Sequence, residues 1–253
     1  MRGFGTRWTN EGDVKTTDEG FDLNGAVVLV TGANGGLGTE FVRQALERGA
    51  AKVYATARTP RQWDDPRVVP LALDVTDETS VATAVSAAGD VSVLVNNAGV
   101  GGTNALLDSS VEDVERVFAT NVFGALRVAK AFAPVLAANG GGALVDVHSV
   151  LSWLALAGGY SASKAAFWSI TNSLRVELAP QGTLVLGAHL GYTDTPMIAA
   201  LETEKNDPAD VVASIWDAVA AGEHEALADQ VSRDVRAALS APVAVLYPQL
   251  ATR

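Results

Sequence analysis

A glycine-rich loop between an apolar run and a helical pattern constrains the fold of this chain more than any other stretch. Residues 26–30 are continuously apolar and rich in valine, which is typical of a strand buried on both faces of a parallel sheet. Residues 40–48 predict a helix that ends at Gly49. Between them lies Thr31-Gly32-Ala33-Asn34-Gly35-Gly36-Leu37-Gly38. A strand, a glycine loop and a helix in this order point backbone N–H groups at a phosphate, so the unit predicts a phosphate-binding turn rather than an ordinary one.

The alternation of strands and helices continues along the chain. Further strands are predicted at residues 52–58, 68–73, 91–95, 143–148 and 183–189. A helix is expected from Asp77 to about Ala88, because acidic residues in its first turn favour the helix dipole. Asp74 closes the third strand, and Asn96-Asn97-Ala98-Gly99 closes the fourth. These units indicate an α/β fold with a doubly wound, mostly parallel sheet.

The remaining helices and the domain boundaries follow from the same patterns. Residues 111–138 form one long helical pattern with Pro134 inside it, which we expect to bend or end its last part. A second long helix is expected from Tyr160 to about Ala179, and further helices from Asp207 to the end. We interpret residues 1–22 as a polar N-terminal tail and residues 23–253 as a single domain.

Composition excludes several classes of protein. The chain has 253 residues, with 48% hydrophobic and 19% charged residues, as in a well-buried globular protein. Its net charge of −11 argues against nucleic acid and anionic membranes as partners. It contains no cysteine, and its three histidines show no metal-ligand spacing, so no metal site is predicted. Without a signal-peptide pattern or a membrane-length apolar run, we expect a soluble cytoplasmic protein.

The segment Tyr160-Ser161-Ala162-Ser163-Lys164 carries the strongest chemical signal. Residues four apart share one face of a helix, so Tyr160 and Lys164 are expected to lie together. A phenol has a reference pKa of about 10, and a nearby ammonium favours the phenolate, which makes the oxygen a usable proton donor and acceptor. This spacing also recurs by chance, so an exposed tyrosine beside a solvated lysine remains the alternative until other residues decide.

The end of the second predicted strand bears on coenzyme choice. A site selective for NAD normally places an acidic residue there, whereas this chain has Ala57 followed by Arg58. A guanidinium at this place suits the 2′-phosphate of NADP by charge and by planar hydrogen-bonding geometry. NADP(H) is therefore favoured over NAD(H), with a solvated arginine at the strand end as the alternative.

Taken together, these motifs resemble the classical short-chain dehydrogenase/reductase family. The matching elements occur in the family's order across residues 23–200: Thr31-Gly32-x-x-x-Gly36-x-Gly38, Asp74, Asn96-Asn97-Ala98-Gly99, Asn121, Ser149 and Tyr160-x-x-x-Lys164. The resemblance implies a single Rossmann-type domain with a seven-stranded sheet. It also implies hydride transfer between NAD(P) and an alcohol or carbonyl carbon.

The resemblance assigns a role to each catalytic residue. Ser149 is expected to hydrogen-bond the substrate oxygen, and Tyr160 to give or take its proton. Lys164 is expected to lower the pKa of Tyr160 and to bind the nicotinamide ribose. Asn121 is expected to hold a water that links Lys164 to solvent as a proton relay.

The same resemblance predicts the coenzyme site and the substrate pocket. The expected coenzyme contacts are Gly32, Asn34, Gly35, Gly36, Leu37, Gly38, Arg58, Asp74, Val75, Asn97, Ala98, Gly99, Tyr160, Lys164, Gly191, Thr193 and Thr195. The expected apolar pocket consists of Val100, Trp153, Leu154, Leu156 and Met197, each of which is equally compatible with the core.

The sequence departs from the family pattern at two places. Leu190-Gly191 stands where the family usually has Pro-Gly. Ser149 precedes Tyr160 by only 11 residues, about two fewer than usual in the family, an indel of the kind that loops tolerate. The short loop is expected to reshape the pocket, and Ser152 is a candidate substitute for Ser149.

The sequence thus predicts an NADP(H)-dependent carbonyl reductase or alcohol dehydrogenase acting on an apolar ketone, aldehyde or secondary alcohol. One alternative is a catalytically idle NADP-binding regulator. Another is a serine hydrolase using Ser149 with His148 or His189, although the chain has no Gly-x-Ser-x-Gly elbow. We expect a homo-oligomer, a dimer or tetramer, for which the stripe of Phe167, Ile170 and Leu174 is a compatible interface.

Overall fold

The computed structural model describes residues 20–102 and 105–250, and its centre is a seven-stranded sheet. Strand order is β3-β2-β1-β4-β5-β6-β7, and every pair of neighbouring strands is parallel. The strands are β1 Val27–Thr31, β2 Lys52–Ala57, β3 Val68–Ala72, β4 Val93–Asn96, β5 Ala143–Val147, β6 Leu184–His189 and β7 Glu225–Leu227. This confirms the predicted doubly wound Rossmann-type fold.

Eight α-helices flank the sheet within the described residues. They are α1 Leu37–Glu47, α2 Glu78–Ala87, α3 Val111–Phe118, α4 Ala125–Ala138, α5 Gly158–Leu178, α6 Pro208–Ala220, α7 Gln230–Ala238 and α8 Val243–Leu246. Helices α1 and α6 pack together on one side of the sheet, and α2, α4 and α5 pack on the other. Parallel strands require such crossover helices on both faces.

The core forms one apolar cluster on each face of the sheet. Alternation along β1 sends Val28 and Val30 into the first cluster and Leu29 into the second. In the first cluster, fully buried Trp216 of α6 meets Phe41 of α1 edge to face, with 5.4 Å between ring centroids. Strands buried on both sides explain the uninterrupted apolar runs in the sequence.

The predicted helix over residues 111–138 is observed as α3, a π-helical turn at Ala119–Gly124, and α4. Of the two effects expected of Pro134, a bend or an end, the second does not occur, because α4 continues through Pro134 to Ala138. Packing of α4 against β4 and α2 offsets the single backbone hydrogen bond that a proline removes. Among the described residues, this stretch alone has the length and hydropathy of a membrane span, and it packs as a core helix of the sheet.

Two boundaries differ from the prediction. Contacts with the domain begin before residue 23. The backbone N–H of Phe21 donates to Val219 O at 3.0 Å, and the Phe21 side chain packs against the core. Residues 1–19 of the predicted tail lie outside the described residues. The chain after residue 207 also contains the short strand β7, the seventh strand that the resemblance implied and the sequence pattern did not locate. Three residues are too few to display a strand pattern in the sequence.

Candidate active site and coenzyme groove

The glycine loop forms a turn that only glycine fits at two positions. Gly36 has a φ of 53° and precedes the first residue of α1. At Gly38, an added Cβ would lie 2.2 Å from Gly32 O, so a larger residue would break the turn. Beside Gly35 there is open space, with no atom within 4 Å of an added Cβ. The amino end of α1 therefore faces a groove with room for a phosphate.

Thr31 and Asn97 join the ends of β1 and β4 next to this turn. The Asn97 amide donates to Thr31 O at 2.8 Å and to Gly32 O at 3.2 Å. The Thr31 hydroxyl accepts from the backbone N–H groups of Asn97 and Ala98, each at 2.9 Å. The side chain of Asn97 is thus occupied in the fold. The backbone of residues 97–99, rather than this side chain, runs beside the glycine loop.

Asp74 and Arg58 lie at the rim of the groove beyond β2 and β3. Asp74 Oδ1 accepts from the backbone N–H and the hydroxyl of Thr76, at 2.9 and 2.7 Å. These hydrogen bonds hold the pKa of Asp74 below its usual value, and the charges of Arg58 and Arg127 lower it further. Arg58 is exposed and follows the last residue of β2. The neighbouring Val75 accepts a hydrogen bond from Arg127 at 2.8 Å through its backbone oxygen.

Asn34 connects the glycine loop to the segment that follows β2. Its amide donates to Thr59 O at 2.7 Å, and its oxygen accepts from Arg61 N at 3.3 Å. Arg61 lies over the ring of Trp63, with its guanidinium carbon 3.9 Å from the ring centroid. Asn34 therefore positions the loop that carries Arg58, a structural role that the glycine pattern alone did not reveal.

The segment after β6 forms the opposite wall of the groove. Gly191 N and the Asn206 amide both donate to Asp229 Oδ2, the latter at 2.7 Å. Thr193 is buried and donates to Gly191 O at 3.2 Å. Thr195 approaches the glycine loop, because a Cβ added at Gly36 would lie 3.1 Å from its methyl group. Sequence analysis missed Asp229, since nothing local links it to a segment 38 residues earlier.

Ser149 and Tyr160 meet despite the short segment between them. Burial raises the pKa of Tyr160 to about 12, and a hydrogen bond with the Ser149 side chain acts in the opposite direction. Ser149 is at the carboxyl end of β5, and its hydroxyl also accepts from Leu151 N at 3.1 Å. Ser152 is buried with no hydrogen-bond partner for its hydroxyl among the described residues. The hydroxyl of Ser149, and not that of Ser152, thus acts on the Tyr160 phenol.

Lys164 lies one turn after Tyr160 on α5, as the spacing predicts. Its Nζ donates to Val147 O at 2.8 Å and lies 5.8 Å from the centroid of the Tyr160 ring. Burial lowers the pKa of Lys164 to about 8, while the charge of Asp146 raises it. We expected Lys164 to lower the pKa of Tyr160, but in this structure the pKa of Tyr160 is raised. Burial of the phenol outweighs any effect of an ammonium at this distance.

Asn121 is held within the π-helical turn, a feature that often marks functional sites. Its oxygen accepts from Val100 N at 2.8 Å, and its amide donates to Val100 O and to Ser163 Oγ, both at 3.1 Å. The oxygen and one amide hydrogen of Asn121 therefore fix Val100, and the other amide hydrogen binds Ser163 of α5. The water relay expected at Asn121 stays a prediction.

The five residues predicted to line the substrate pocket are divided between two places. Trp153, Leu154 and Leu156 line a cavity of about 300 Å³ together with Ser161 and Ala162. Val100 and Met197 are not part of its lining. Met197 lies beside Gly101, in the segment that follows β4.

Trp153 is mainly a core residue. It is 8% exposed and stacks on His189, with 3.9 Å between the ring centroids. Arg236 of α7 lies over its ring at 5.9 Å. Next to it, Tyr247 OH accepts a hydrogen bond from Ala155 N at 3.0 Å. The carboxyl-terminal residues thus hold the short loop that follows Ser149, a contact that no local pattern predicts.

The histidines are not placed to activate Ser149 as a nucleophile. His189 Nδ1 lies 3.3 Å from the backbone oxygen of Ser149 rather than from its hydroxyl. Neither ring nitrogen of His148 has a partner among the described residues. Burial lowers the pKa of both imidazoles, that of His189 to about 3. A serine hydrolase needs a base hydrogen-bonded to the nucleophile, so the geometry argues against that alternative.

Comparisons with known proteins agree with this geometry. The family model for short chain dehydrogenases matches residues 26–206. A short-chain dehydrogenase of Penicillium crustosum is 33% identical over 213 residues, which cover 78% of this chain and 76% of the relative. A cis-4-hydroxycyclohexanecarboxylate dehydrogenase of Sinomonas cyclohexanicum is 36% identical over 204 residues, covering 75% and 79%. The crystal structure of a short chain dehydrogenase from Burkholderia cenocepacia in complex with NADP superposes with a TM-score of 0.86 at 35% identity, covering 92% of this chain and all of the other.

Fold, site and relatives together define an α/β oxidoreductase with a dinucleotide groove at the carboxyl edge of its sheet. The chain belongs to the short-chain dehydrogenase family.

Proposed function

We propose that the protein is an NADP(H)-dependent carbonyl reductase or alcohol dehydrogenase. The observation that carries this proposal is the hydrogen-bonding influence of the Ser149 side chain on the Tyr160 phenol, with buried Lys164 one turn further along α5. In the proposed reaction, Ser149 and Tyr160 both bind the same substrate oxygen.

The chain's own groups supply binding and proton transfer. The nicotinamide coenzyme, when bound, supplies or accepts the hydride. Ser149 donates a hydrogen bond to the substrate oxygen, and Tyr160 gives that oxygen its proton during reduction or removes it during oxidation. Lys164 binds the ribose hydroxyls and keeps a positive charge near the phenol. The high pKa of Tyr160 keeps the hydroxyl protonated, which suits its role as the acid in carbonyl reduction.

Three features support a fit between the groove and a dinucleotide. The glycine turn leaves room at the amino end of α1, Asp74 stands at the carboxyl end of β3, and Thr195 faces the turn from the opposite wall. For the choice of NADP(H), the support is Arg58 at the exposed rim, with no acidic residue at position 57. The related Burkholderia structure contains NADP.

For the substrate, we propose an apolar ketone or aldehyde and the corresponding secondary alcohol. Leu154 and Leu156 give the cavity after β5 an apolar wall, and apolar surface favours apolar ligands. The related enzyme from Sinomonas is named for the oxidation of a secondary alcohol on a cyclohexane ring. The reduced coenzyme pool of a cell normally drives an NADP-linked enzyme toward reduction.

We further propose a cytoplasmic homo-oligomer, whose size light scattering would measure. The stripe suggested as its interface is unsuitable, because Phe167 and Leu174 are 2% and 6% exposed and pack into the chain's own core. Helix α5 packs against the sheet through this stripe, so any contact between copies of the chain must use the opposite face of α5.

The test of the proposed function is a screen of carbonyl compounds with purified protein and either NADPH or NADH. Oxidation of the coenzyme is the measured signal. We expect turnover of apolar ketones or aldehydes that is faster with NADPH. Coenzyme binding without turnover on a broad panel would support the alternative of an idle NADP-binding regulator. Ester cleavage without coenzyme would support the hydrolase.

A further inference from the structure

Asp146 is an acidic residue in the middle of a buried apolar strand. Alternation along β5 sends Val145 and Val147 toward α1 and α6, so Asp146 points to the side where α5 packs. The residue is fully buried. Its Oδ1 accepts from the Asn96 amide at 3.0 Å and its Oδ2 from the Thr171 hydroxyl at 2.7 Å. Both carboxylate oxygens are therefore fixed in position between β4 and α5.

Lys164 is buried on the same side of β5. It is 6% exposed, and its Nζ donates to the backbone oxygen of Val147, the residue that follows Asp146. Burial of an ammonium is costly unless an opposite charge compensates it. The charge of Asp146 raises the pKa of Lys164 and opposes the effect of burial. A through-space interaction thus links the two groups without direct contact.

Within the described part of the chain, the other ionisable groups around this ammonium supply no negative charge at neutral pH. His148, which follows β5, and His189 on β6 are held neutral, because burial keeps the pKa of each imidazole below its usual value. Tyr160 on α5 is a neutral phenol, since its pKa is raised to about 12. Arg175, also on α5, is itself a cation that acts on Asp146.

The next carboxylate in this region is engaged elsewhere. Glu225 on β7 pairs with Arg236 at 2.7 Å and lies 3.9 Å from His189 Nε2. Its charge also acts on Arg175. Asp146 is left as the acidic partner of the buried lysine.

We propose that Asp146 is the buried counter-ion that keeps Lys164 charged in the coenzyme site, and that Asn96 and Thr171 position its carboxylate for this task. The proposal rests on the proposed function for its catalytic meaning, because Lys164 is the residue assigned to the ribose. Asp146 itself touches neither the coenzyme groove nor Tyr160 in the contacts described above. It acts through Lys164 and is a positioning residue.

Asp146→Asn isolates the charge with little change in shape. The Asn96 amide can still donate to the side-chain oxygen of the new residue. The Thr171 hydroxyl, which also donates to Phe167 O at 3.1 Å, can accept from the new amide. Packing is therefore preserved, and the substitution removes the negative charge alone.

The test is an NMR titration of the lysine ε-carbons in the coenzyme-free protein. The chain has only five lysines, at positions 15, 52, 130, 164 and 205, and Lys164→Met assigns the signal of interest. We expect Asp146→Asn to lower the titration midpoint of Lys164 by about one pH unit, because the variant removes the negative charge that opposes the effect of burial. Asp90→Asn is the matched control: it removes the partner of Lys52, 2.6 Å away, and is expected to leave the Lys164 midpoint unchanged.

An unchanged Lys164 midpoint in Asp146→Asn would overturn the proposal. Should that variant not fold, Lys164→Met answers the same question from the other side, by the titration of the Asp146 carboxyl carbon. Burial raises the pKa of Asp146 to about 6 in the parent, and loss of the ammonium is expected to raise it further; no change would again overturn the proposal. The titrations do not depend on turnover, so a failed carbonyl screen would reject the proposed function while leaving this result intact.

Discussion

The coenzyme side and the substrate side of this site are held by different kinds of contact. On the coenzyme side, β1, β4 and the glycine turn lie so close to one another that backbone atoms and short side chains make the contacts between them, as at Gly38 and Asn97. On the substrate side, the loop after β5 is held by a side chain from far along the chain, Tyr247, whose hydroxyl accepts from Ala155 N. The first kind of contact leaves a local pattern in the sequence, and the second does not.

Tyr160 lies where the two sides meet, and its loss is expected to have the largest effect. Tyr160→Phe removes the proton donor and acceptor while keeping the ring, so turnover should fall at least by the factor of about 10²–10⁴ typical of general acid–base catalysis. Coenzyme affinity, measured by fluorescence titration, should be nearly unchanged. Tyr54→Phe is the control, because the Tyr54 hydroxyl bonds Asp90 at 2.9 Å, away from the groove. Near-normal kcat in Tyr160→Phe would refute the catalytic assignment.

Ser149 and Ser152 allow a test of which serine hydroxyl on the substrate side binds the substrate oxygen. Ser149→Ala should reduce kcat by about a hundredfold, the effect of losing one hydrogen-bond donor to a developing oxyanion. Ser152→Ala should change kcat little, because the Ser152 hydroxyl is buried and unpaired in the described structure. Steady-state kinetics of the two variants decides the matter. A greater loss in Ser152→Ala would mean that the loop, and not the strand end, supplies the donor.

On the coenzyme side, Arg58 tests selectivity. Hydrogen bonds to charged groups contribute about 1.5–3 kcal/mol, which corresponds to roughly a ten- to hundredfold preference for NADP(H) in kcat/KM. Arg58→Ala should remove most of this preference by weakening NADP(H), and Ala57→Asp should reverse it by repulsion of the 2′-phosphate.

The control for Arg58 is Arg67→Ala, which removes an exposed arginine paired with Asp65 at 2.7 Å. Values of kcat/KM for both coenzymes in the parent and each variant separate charge recognition from simple stacking. If Arg58→Ala weakened NADPH and NADH equally, Arg58 would stack on the adenine instead of binding the phosphate.

Tyr247 is expected to give the smallest effect, confined to the substrate side. Tyr247→Phe removes the hydrogen bond to Ala155 N, whose net contribution of about 0.5–1.5 kcal/mol corresponds to a two- to tenfold rise in KM for the carbonyl compound. The dissociation constant for NADPH should stay the same. An equal change in coenzyme binding would show that the two sides are coupled, contrary to the distinction drawn above.

The fold and most of the site were predictable from sequence for the same physical reason. Buried parallel strands are apolar throughout, a glycine turn needs glycines at fixed intervals, and a helix places Tyr160 and Lys164 on one face. Each of these requirements acts over a few residues. Six of the seven strands and the long α5 were predicted accordingly, whereas the pattern did not show that α4 continues through Pro134 to Ala138.

The missed features depend on distance in the chain. Asp229 supports Gly191 from 38 residues away, and Asp146 faces Thr171 from 25 residues away. Trp153 lines the cavity after β5, and its stacking on His189 is a contact that the sequence pattern did not reveal. The direction of the Tyr160 pKa also depends on burial, which the four-residue spacing does not encode. Partners separated in this way are set by topology, and no local pattern in one sequence specifies them.

The central claim is that this chain moves a hydride between coenzyme and a carbonyl carbon with Tyr160 as the proton donor. The most direct test uses NADPH that carries deuterium at its transferable position, with a ketone turned over by the parent and by Tyr160→Phe. We predict one deuterium on the carbinol carbon of the alcohol formed by the parent, detected by mass spectrometry, and almost no labelled alcohol from Tyr160→Phe. Alcohol without deuterium, or equal labelled product from both proteins, would contradict the claim.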